Sequence, residues 1–384
     1  MTHFDIALIG FGAATMSLAV RLADRYPGRI AIIEPRELPT DDRTWCGWRL
    51  ADHPFTEQAA QTWSAWAVSH GDREIVRHSD SIPYEMLRAS AVQEYALNAV
   101  TSRPDWRFFS QCSLQAATYE APHWRLDLSD NATITADRVM DARPPGITLG
   151  RPWVWQSFVG RELVGPGLPA TGPVRLMDFV DDDAPLLTFV YELPIGEGRR
   201  LIELTRFAPQ RPSLSALGES LDQLLDARGL AGHAVAREES SHLPMAPVPP
   251  TNQAGWMRVG TAGGSMRPAT GYAFHGIQRW ADACARALVA GDEPCAPSRS
   301  RLMDWLDGVF LESLWAGGDA ATAGARFHRL FERTPAESMA RFLMNRPRPS
   351  DIGHVLRALP APPMLRAAAR HSLRRGSGVA LNHP

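Results

Sequence analysis

The chain has 384 residues, with 42 acidic and 40 basic side chains and a formal net charge of −2. All 40 cations are arginine, because the sequence contains no lysine. The absence of lysine excludes Schiff-base chemistry and the P-loop type of nucleotide site. Arginine stays protonated in proteins, so any proton transfer must fall to carboxylates, His, Tyr, Cys or a cofactor.

The charge is distributed unevenly along the chain. The balanced total gives no signal for nucleic-acid binding, and we predict no nucleic-acid partner. From Arg341 to Pro384, however, eight arginines and one acid, Asp351, give this segment a net charge of +7. A basic end of this kind favours contact with a membrane surface.

The cysteines and the apolar runs indicate the compartment. The four cysteines lie far apart and form no CxxC pair, so we predict neither a disulfide framework nor a metal site. No apolar run reaches the roughly 18–20 residues that span a bilayer, and the N-terminus lacks a signal-peptide pattern. We therefore expect a cytoplasmic protein that is soluble or peripheral to the inner face of the membrane.

The N-terminus has the order of a dinucleotide-binding unit. A short apolar run, Asp5–Ile9, precedes a glycine turn, and Met16–Arg25 has helical spacing. A second apolar run, Ile30–Ile33, ends in Glu34. Strand, glycine turn, helix and strand in this order predict a Rossmann unit.

The residues of the turn predict how a ligand is held. Gly10 permits the tight turn, and Gly12 with Ala13 lets the start of the helix approach a pyrophosphate. Glu34 can accept hydrogen bonds from ribose hydroxyls, which favours FAD or NAD over NADP. Thr15 occupies the position of the third glycine in this fingerprint.

A second glycine-rich segment follows a short strand near residue 257. It contains Gly260, Gly264, Pro268 and Gly271 and leads into a helical pattern over Ile277–Ala290. Such a loop suits contact with a flavin. The two glycine segments predict one cofactor domain, residues 1–150 and 251–295, interrupted by an insertion over 151–250 and followed by a helical region over 296–384.

The insertion has strand-forming composition. Leu186–Leu193 and Arg200–Phe207 read as two strands joined by a hairpin, and Ser213–Leu225 as a helix. An acidic run from Asp178 to Asp183 lies just before the first of these strands. Runs of this kind are often solvated loops, but the position between strand signals makes Asp178 and Asp183 candidate site residues.

The residues described above resemble those of the bacterial lycopene cyclase family of flavoproteins. The resemblance extends in order along nearly the whole sequence. The matching stretches are Leu8–Gly12, Thr44–Trp45, Trp155–Gly160, Met177–Asp178, Phe189–Tyr191, Leu201–Thr205, Glu239–Pro244, Pro268–Tyr272 and a C-terminal block from Arg341 to Pro363.

The resemblance implies both a fold and a reaction. The implied fold is α/β: a glutathione-reductase-like Rossmann FAD domain with a β-rich substrate-domain insertion and a helical C-terminal region. The implied reaction adds a proton to the end of an acyclic carotenoid such as lycopene, closes a six-membered ring and then loses a proton. Reduced FAD is needed although no net redox change occurs, and NAD(P)H or an electron donor protein would reduce it.

Glu203 is the candidate acid/base residue. It lies between Ile202 and Leu204, and an apolar setting favours the neutral carboxyl that a proton donor requires. The resemblance implies the same role, because Glu203 matches the essential Glu of the family's motif. The chain departs from the family where Leu204 replaces a second acid, and where Asp183 replaces Gln.

Two further positions depart from the family's pattern, and alternative functions stay open. Arg267 replaces a His before Pro268, and Thr15 replaces a fingerprint glycine. A flavin monooxygenase or hydroxylase of the same fold, a cyclase acting on another polyene or terpenoid, and an inactive carotenoid or flavin carrier stay open. A halogenase is weaker, because only Trp153-Val-Trp155 matches its signature. We expect a hydrophobic polyene substrate taken from the membrane surface.

Overall fold

The structure is a computed structural model that describes residues 1–144, 146–180, 186–196, 198–249, 252–298, 300–315, 320–374 and 379–381. The strands of this described part are β1 (Thr2–Ile9), β2 (Ile30–Glu34), β3 (Thr44–Trp48), β4 (Ala59–Trp63), β5 (Ala65–His70), β6 (Arg73–His78), β7 (Tyr84–Arg88), β8 (Arg107–Ser110), β9 (Leu114–Glu120), β10 (His123–Leu128), β11 (Thr133–Asp141), β12 (Ile147–Leu149), β13 (Val154–Val164), β14 (Val174–Val180), β15 (Leu187–Gly196), β16 (Arg199–Ala208), β17 (Ala234–Met245), β18 (Asn252–Gln253), β19 (Trp256–Arg258) and β20 (Val379–Leu381). The helices are α1 (Ala13–Ala23), α2 (Ala89–Thr101), α3 (Leu214–Ala227), α4 (Phe274–Ala290), α5 (Arg301–Trp315), α6 (Ala320–Arg333), α7 (Ala336–Leu343), α8 (Pro349–Ala358) and α9 (Ala361–Leu373).

The first sheet has the strand order β18-β19-β11-β1-β2-β8, with the β9–β10 hairpin attached to β11. β1 pairs in parallel with both β2 and β11. Its side chains from Ile6 to Ile9 are buried, as expected for a central parallel strand covered on both faces. Helices α1, α2 and α4 cover one face, and the β9–β10 hairpin covers the other.

The second sheet has seven strands in the order β17-β13-β16-β15-β14-β5-β6. Its long central strands pair antiparallel, and α3 packs on one face through the apolar stripe of Leu217, Leu221 and Leu225. Because β5 and β6 lie within residues 1–150, the predicted boundary at residue 150 does not separate the two sheets. The β-rich unit therefore recruits two strands from the segment that we assigned to the cofactor domain.

A small sheet, β3-β7-β4, joins the two larger ones. Its residues Trp48 and Tyr84 pack with Trp66 of β5 in one buried cluster. Helix α2 begins only at Ala89, because the preceding residues form β7, which pairs with both β3 and β4. This small sheet places side chains of the N-terminal segment beside the second sheet.

The C-terminal helices complete the core. Helix α6 packs on β5 and β15, α7 and α8 pack together, and α5 packs against α9. Gly308 of α5 allows the close approach of α9, because a Cβ atom there would collide with the ring of His371. In the described part of the chain, no helix has the length and apolar character needed to cross a bilayer.

Candidate active site

The glycine turn between β1 and α1 has the shape of an anion site. Gly10 has a φ of +79°, which side-chain-bearing residues rarely adopt. Gly12 is the N-cap of α1, and no heavy atom lies within 4 Å of the place that a Cβ would occupy. Within the described part of the chain no side chain caps the helix, so its first-turn N–H groups are left for a ligand.

Glu34 lies against this turn. The backbone N–H of Phe11 donates to its Oε2 atom over 2.6 Å, and Arg36 donates to Oε1 over 2.8 Å. Burial alone would raise the pKa of Glu34, but these bonds outweigh it and lower the pKa. The ionised carboxylate can accept further hydrogen bonds, as the predicted ribose contact requires.

The second glycine segment runs from the first turn to the substrate side of the molecule. A Cβ at Gly260 would lie 3.1 Å from the Cβ of Ala14, so this loop packs directly on α1. Gly264 ends a short 3₁₀ turn in the left-handed conformation. Farther along, a Cβ at Gly271 would lie 2.7 Å from Oε1 of Gln156 on β13. The structure thus packs one end of this segment, the glycine track, on α1 and the other end on β13, while Gly264 and Pro268 between them line a separate cavity.

That track ends at a cavity of about 200 Å³, the chamber. It is lined by Phe158, Phe189, Phe207, Phe327, Phe331, Tyr84, Tyr191 and Tyr272, by the polar residues Thr44, Cys46, Gln156, Glu203, Glu239 and Thr270, and by Leu176, Met177, Leu243, Ala269, Gly271 and Leu343. Aromatic faces and two carboxyls therefore share one small space. Among the described residues the lining contains no Trp.

Glu203 points into this chamber from β16. Its register partners are Tyr191 of β15 and Gly160 of β13, and Gly160 in turn pairs with Glu239 of β17. Thr205 donates a hydrogen bond of 2.7 Å to Oε1 of Glu203. No arginine in the described residues forms an ion pair with the Glu203 carboxyl group.

This environment keeps Glu203 protonated. Burial is the main cause that raises its pKa to about 8, and the charge of Glu239 adds to the shift. Thr205 and Arg237 act in the opposite direction but are outweighed. At neutral pH a buried carboxylic acid therefore faces an aromatic cavity, which is the condition for donating a proton to a weak base.

Three tyrosines and a cysteine line the chamber together. The hydroxyl of Tyr84 lies 3.0 Å from that of Tyr191 and 3.3 Å from that of Tyr272. Burial raises the pKa of all three hydroxyls and of the Cys46 thiol. These groups stay neutral near pH 7, so they supply ring faces and hydroxyl dipoles without negative charge.

Comparison with solved structures identifies the fold. The structure is similar to a geranylgeranyl bacteriochlorophyll reductase-like protein from Thermoplasma acidophilum, with a TM-score of 0.66 and 15% identity over 97% of this chain and 100% of that chain. It is also similar to p-nitrophenol 4-monooxygenase PnpA from Pseudomonas putida, with a TM-score of 0.60 and 13% identity over 97% and 98% of the two chains. Halogenase PltM gives a TM-score of 0.61 and 13% identity over 98% and 87%.

The sequence itself matches one family model, described as lycopene cyclase protein, over residues 5–369. The chain belongs to the lycopene cyclase family. No curated protein gives a significant match to the chain. Membership and the structural neighbours confirm the predicted fold class, a glutathione-reductase-like Rossmann domain with a β-rich insertion and a helical C-terminal region.

Two departures from the cyclase pattern are structurally satisfied. The Thr15 hydroxyl, buried inside α1, donates to the carbonyl oxygen of Gly10 over 2.7 Å and so braces the glycine turn. Arg267 is buried and ion-paired with Asp307, with 2.7 Å between Nη2 and Oδ1. Asp307 also accepts from the N–H of Ala269, so this pair fixes the loop that lines the chamber.

The structure places Asp178 of the acidic run and Leu204 on the face of the sheet that α3 covers. Asp178 pairs with Val190 on the face of the sheet that α3 covers, and its Oδ2 atom accepts from Arg228 over 2.6 Å. It does not line the chamber, because its neighbour Met177 takes that face. Leu204 is buried against α3, and Asp183 lies outside the described residues.

The prediction from sequence missed Glu239. It entered only as the start of a matching stretch, without a role, because an Arg-Glu-Glu sequence on a strand also fits an exposed edge. The available signal was alternation: Glu239 and Leu243 lie on one face of β17, and both line the chamber. The same signal separates Glu239 from Glu238, which faces outward and ion-pairs with Arg161.

Proposed function

We propose that the protein is an FAD-dependent carotenoid β-cyclase that converts acyclic lycopene-type ends into β-rings, giving γ- or β-carotene from lycopene. The observation that carries this proposal is the protonated, buried Glu203 facing an aromatic chamber at the end of the glycine track. Protonating an alkene needs a positioned acid in a dry site, and the resulting cation needs π-rich surroundings. Family membership supports the same reaction.

The residues of the chamber suit each stage of such a reaction. Glu203 holds a proton over the cavity, and Thr205 fixes the orientation of its carboxyl group. Phe158, Phe189 and Phe207 offer ring faces to a carbocation and keep water away. The neutral tyrosines complete the lining without offering a competing anion. The chamber therefore favours rearrangement of an apolar cation over its capture by water.

The chain's own residues fit FAD. The open Gly10–Gly12 turn suits a pyrophosphate, Glu34 suits a ribose, and Oε1 of Gln156 is buried without a partner among the described residues where the loop meets the chamber. Bound there, reduced FAD would supply negative charge beside the chamber. We propose NAD(P)H, directly or through an electron donor protein, as the source of its electrons. A structure of halogenase PltM in complex with FAD supports this assignment on the same fold.

A monooxygenase or hydroxylase is the alternative function, because two structural neighbours of this chain are named as monooxygenases. The requirement for oxygen distinguishes the cyclase from the monooxygenase. The purified protein, with FAD reduced by dithionite under argon, should form β-rings from lycopene supplied in liposomes. Chromatography of the pigments measures the product. A strict requirement for oxygen, or NAD(P)H oxidation coupled to oxygen uptake, would contradict the cyclase and support the alternative.

Replacing the acid tests the role of Glu203 directly. Glu203→Gln should slow ring formation by about 10³-fold, the usual size of a general-acid contribution, while FAD remains bound. Glu238→Gln is the matched control, because Glu238 points away from the chamber. Loss of FAD binding in Glu203→Gln would instead give Glu203 a structural role.

We further propose that the protein works at the inner face of the cytoplasmic membrane, where a polyene substrate resides. Helices α5, α8 and α9 leave large apolar side chains exposed, with Leu365 at 70% and Leu373 at 82% exposure. The arginines of α8 and α9 lie on the same helices and are complementary to anionic lipid. Trp305 of α5 donates to Ser372 of α9, which links these two helices into one surface.

Flotation with anionic vesicles tests this surface. The double variant Leu365→Ser and Leu373→Ser should bind more weakly than the wild type at low salt. Val235→Ser is the control, because Val235 is an exposed apolar residue on β17, away from α5, α8 and α9. Equal flotation of all three proteins would contradict the assignment of the surface to these helices.

A further inference from the structure

We infer that Glu239 is the second catalytic carboxyl group of the chamber: Glu203 gives the proton to the alkene, and Glu239 takes up the proton that the ring carbocation loses. This inference rests on the proposed function and deepens it. It starts from geometry, since both side chains line the chamber and stand on either side of Gly160 in one row across three strands.

Gly160 is what lets the two glutamates approach. A Cβ atom at this position would lie 3.3 Å from Cγ of Glu239 and 3.4 Å from Cβ of Glu203. Because β13 runs between β16 and β17, any side chain here would stand between the two carboxyl-bearing chains. Its φ is not one that demands glycine, so the small residue is explained by space alone.

The two carboxyl groups have different hydrogen-bond partners, and this difference assigns the roles of acid and base. Oε2 of Glu239 accepts from Arg237 over 2.8 Å and from Thr44 over 2.9 Å. Glu203 accepts from the neutral hydroxyl of Thr205. Burial raises the pKa of both carboxyl groups, but Arg237 and Thr44 counter the rise at Glu239. When the pair holds one proton and one negative charge, the ion pair with Arg237 therefore favours the charge on Glu239 and the proton on Glu203.

The other ionisable groups near the pair are ion-paired, hydrogen-bonded or neutral. The charge of Asp41, before β3, raises the pKa of Glu239, but Asp41 is itself ion-paired with Arg88. Glu85 of β7 lies 2.8 Å from His53. Cys46 on β3 and the tyrosines of the chamber wall have raised pKa values and stay neutral. Arg237 of β17 is the cation that acts on both carboxyl groups.

The step balances in protons and electrons. The O–H bond of Glu203 breaks as its proton forms a C–H bond at the terminal alkene, and the next alkene closes the ring with its π electrons. A C–H bond beside the resulting cation then breaks, its electrons form the ring double bond, and Glu239 accepts the proton. The shared position of the pair lets that proton return to Glu203, so no outside acid, base or redox partner is consumed.

Infrared difference spectroscopy tests the pair without depending on turnover. The C=O band of the protonated carboxyl group, assigned by its loss in Glu203→Gln, should disappear as the pH passes about 8 in the wild type. In Glu239→Gln the neighbouring charge is gone, so we expect the midpoint to move to lower pH. Glu238→Gln should leave it in place. An unmoved midpoint in Glu239→Gln would overturn the inference.

Turnover supplies the second readout. Glu239→Gln should slow anaerobic ring formation by about 10²-fold, as expected for loss of a general base. Because a carbocation can lose a proton from either neighbouring carbon, the ring double bond should also appear at mixed positions. If Glu239→Gln matches Glu238→Gln in rate and product, Glu239 is not the base, although the cyclase proposal stands. If the wild type forms no rings, the proposed function fails first.

Gly160→Ala provides a variant that keeps both carboxyl groups. The added methyl should press the two side chains apart, lower the infrared midpoint by less than Glu239→Gln does, and slow turnover. This variant decides the matter if Glu239→Gln does not fold. A midpoint and rate identical to those of the wild type would contradict a working pair.

Discussion

Glu162 and Glu203 are two buried glutamates on the same face of the seven-stranded sheet, yet their charge states differ. Glu162 lies two residues beyond Gly160 on β13, one rung away from the chamber row. Arg88, Arg199 and Arg237 bind its two oxygens at 2.6, 2.8 and 3.3 Å. Burial alone would raise its pKa, but the three arginines lower it. Glu203 has no arginine bound to its carboxyl group among the described residues, and its pKa rises to about 8.

The difference shows that burial alone does not decide the role of a carboxyl group. The number of cations in contact decides it, because each one offsets part of the cost of placing a charge in the interior. Arg237 lies between the two sites, since it binds both Glu162 and Glu239. One arginine therefore lies at the boundary between the ion-paired part of this face and the proposed catalytic part.

The largest effect should come from breaking the structural site. Glu162→Gln would leave three arginine side chains around a buried neutral amide, and we expect a loss of about 3–5 kcal/mol in the free energy of unfolding. Urea denaturation measures it. Glu238→Gln, on the outward face, should cost less than about 1 kcal/mol. Equal, small costs for both variants would remove the contrast between the two glutamates.

The second effect concerns the dependence of stability on pH. In the unfolded chain Glu203 has an ordinary pKa of about 4.3, whereas in the fold its pKa is about 8. Between these values the folded state holds a proton that the unfolded state has released, so Glu203 makes stability fall as pH rises through this window. Glu203→Gln should therefore be more stable than the wild type at pH 9, by on the order of 2 kcal/mol, and no more stable at pH 4.

Thermal unfolding at several pH values tests this second prediction. A control is Glu192→Gln, because Glu192 is buried on the other face of the sheet and is ion-paired with Arg200. That variant should be less stable than the wild type at neutral pH. If Glu203→Gln loses stability at pH 9 as Glu192→Gln does at neutral pH, then the fold stabilises the Glu203 carboxylate and the pKa of Glu203 is not raised.

A smaller effect should follow from the shared arginine. Arg237→Met removes the cation that holds down the pKa of Glu239, so the acid limb of the ring-forming activity should move to higher pH, by about one pH unit. The pH profile of turnover measures it. Arg161→Met, on β13 and ion-paired with Glu238, is the matched control and should leave the limb unchanged. If the acid limb of the pH profile does not move in Arg237→Met, then Arg237 does not control the pKa of Glu239.

Much of the fold could be predicted because its signals are local. The glycine turn, the β2 run ending in Glu34 and the helix of α4 each carry their own pattern, and all three are confirmed. The domain boundary could not be predicted in this way. Strands β5 and β6 join a sheet whose other members lie about a hundred residues later, and no local pattern encodes that pairing.

The candidate site shows the same difference between local patterns, which can be predicted, and long-range contacts, which cannot. Glu203 could be predicted as a buried carboxyl group because it lies in an apolar strand run, although Ile202 and Leu204 themselves face α3 and not the chamber. Glu239 could not, because its role depends on Gly160 of the adjacent strand and on Arg237, which becomes significant only once β17 pairs with β13. Asp178 misled for the converse reason: acids in a row suggest a site, but β14 turns Asp178 toward α3.

The smallest effect should therefore come from Asp178. Its carboxylate pairs with Arg228 at the end of α3, and both side chains are partly exposed. Surface ion pairs of this kind contribute about 0–1 kcal/mol, so Asp178→Asn should barely change the unfolding free energy. Because Met177 and not Asp178 lines the chamber, the rate of ring formation should stay at the wild-type value. A loss comparable to that of Glu203→Gln would show that Asp178 reaches the substrate, and charge state on the chamber face would then no longer be enough to separate catalytic from structural acids.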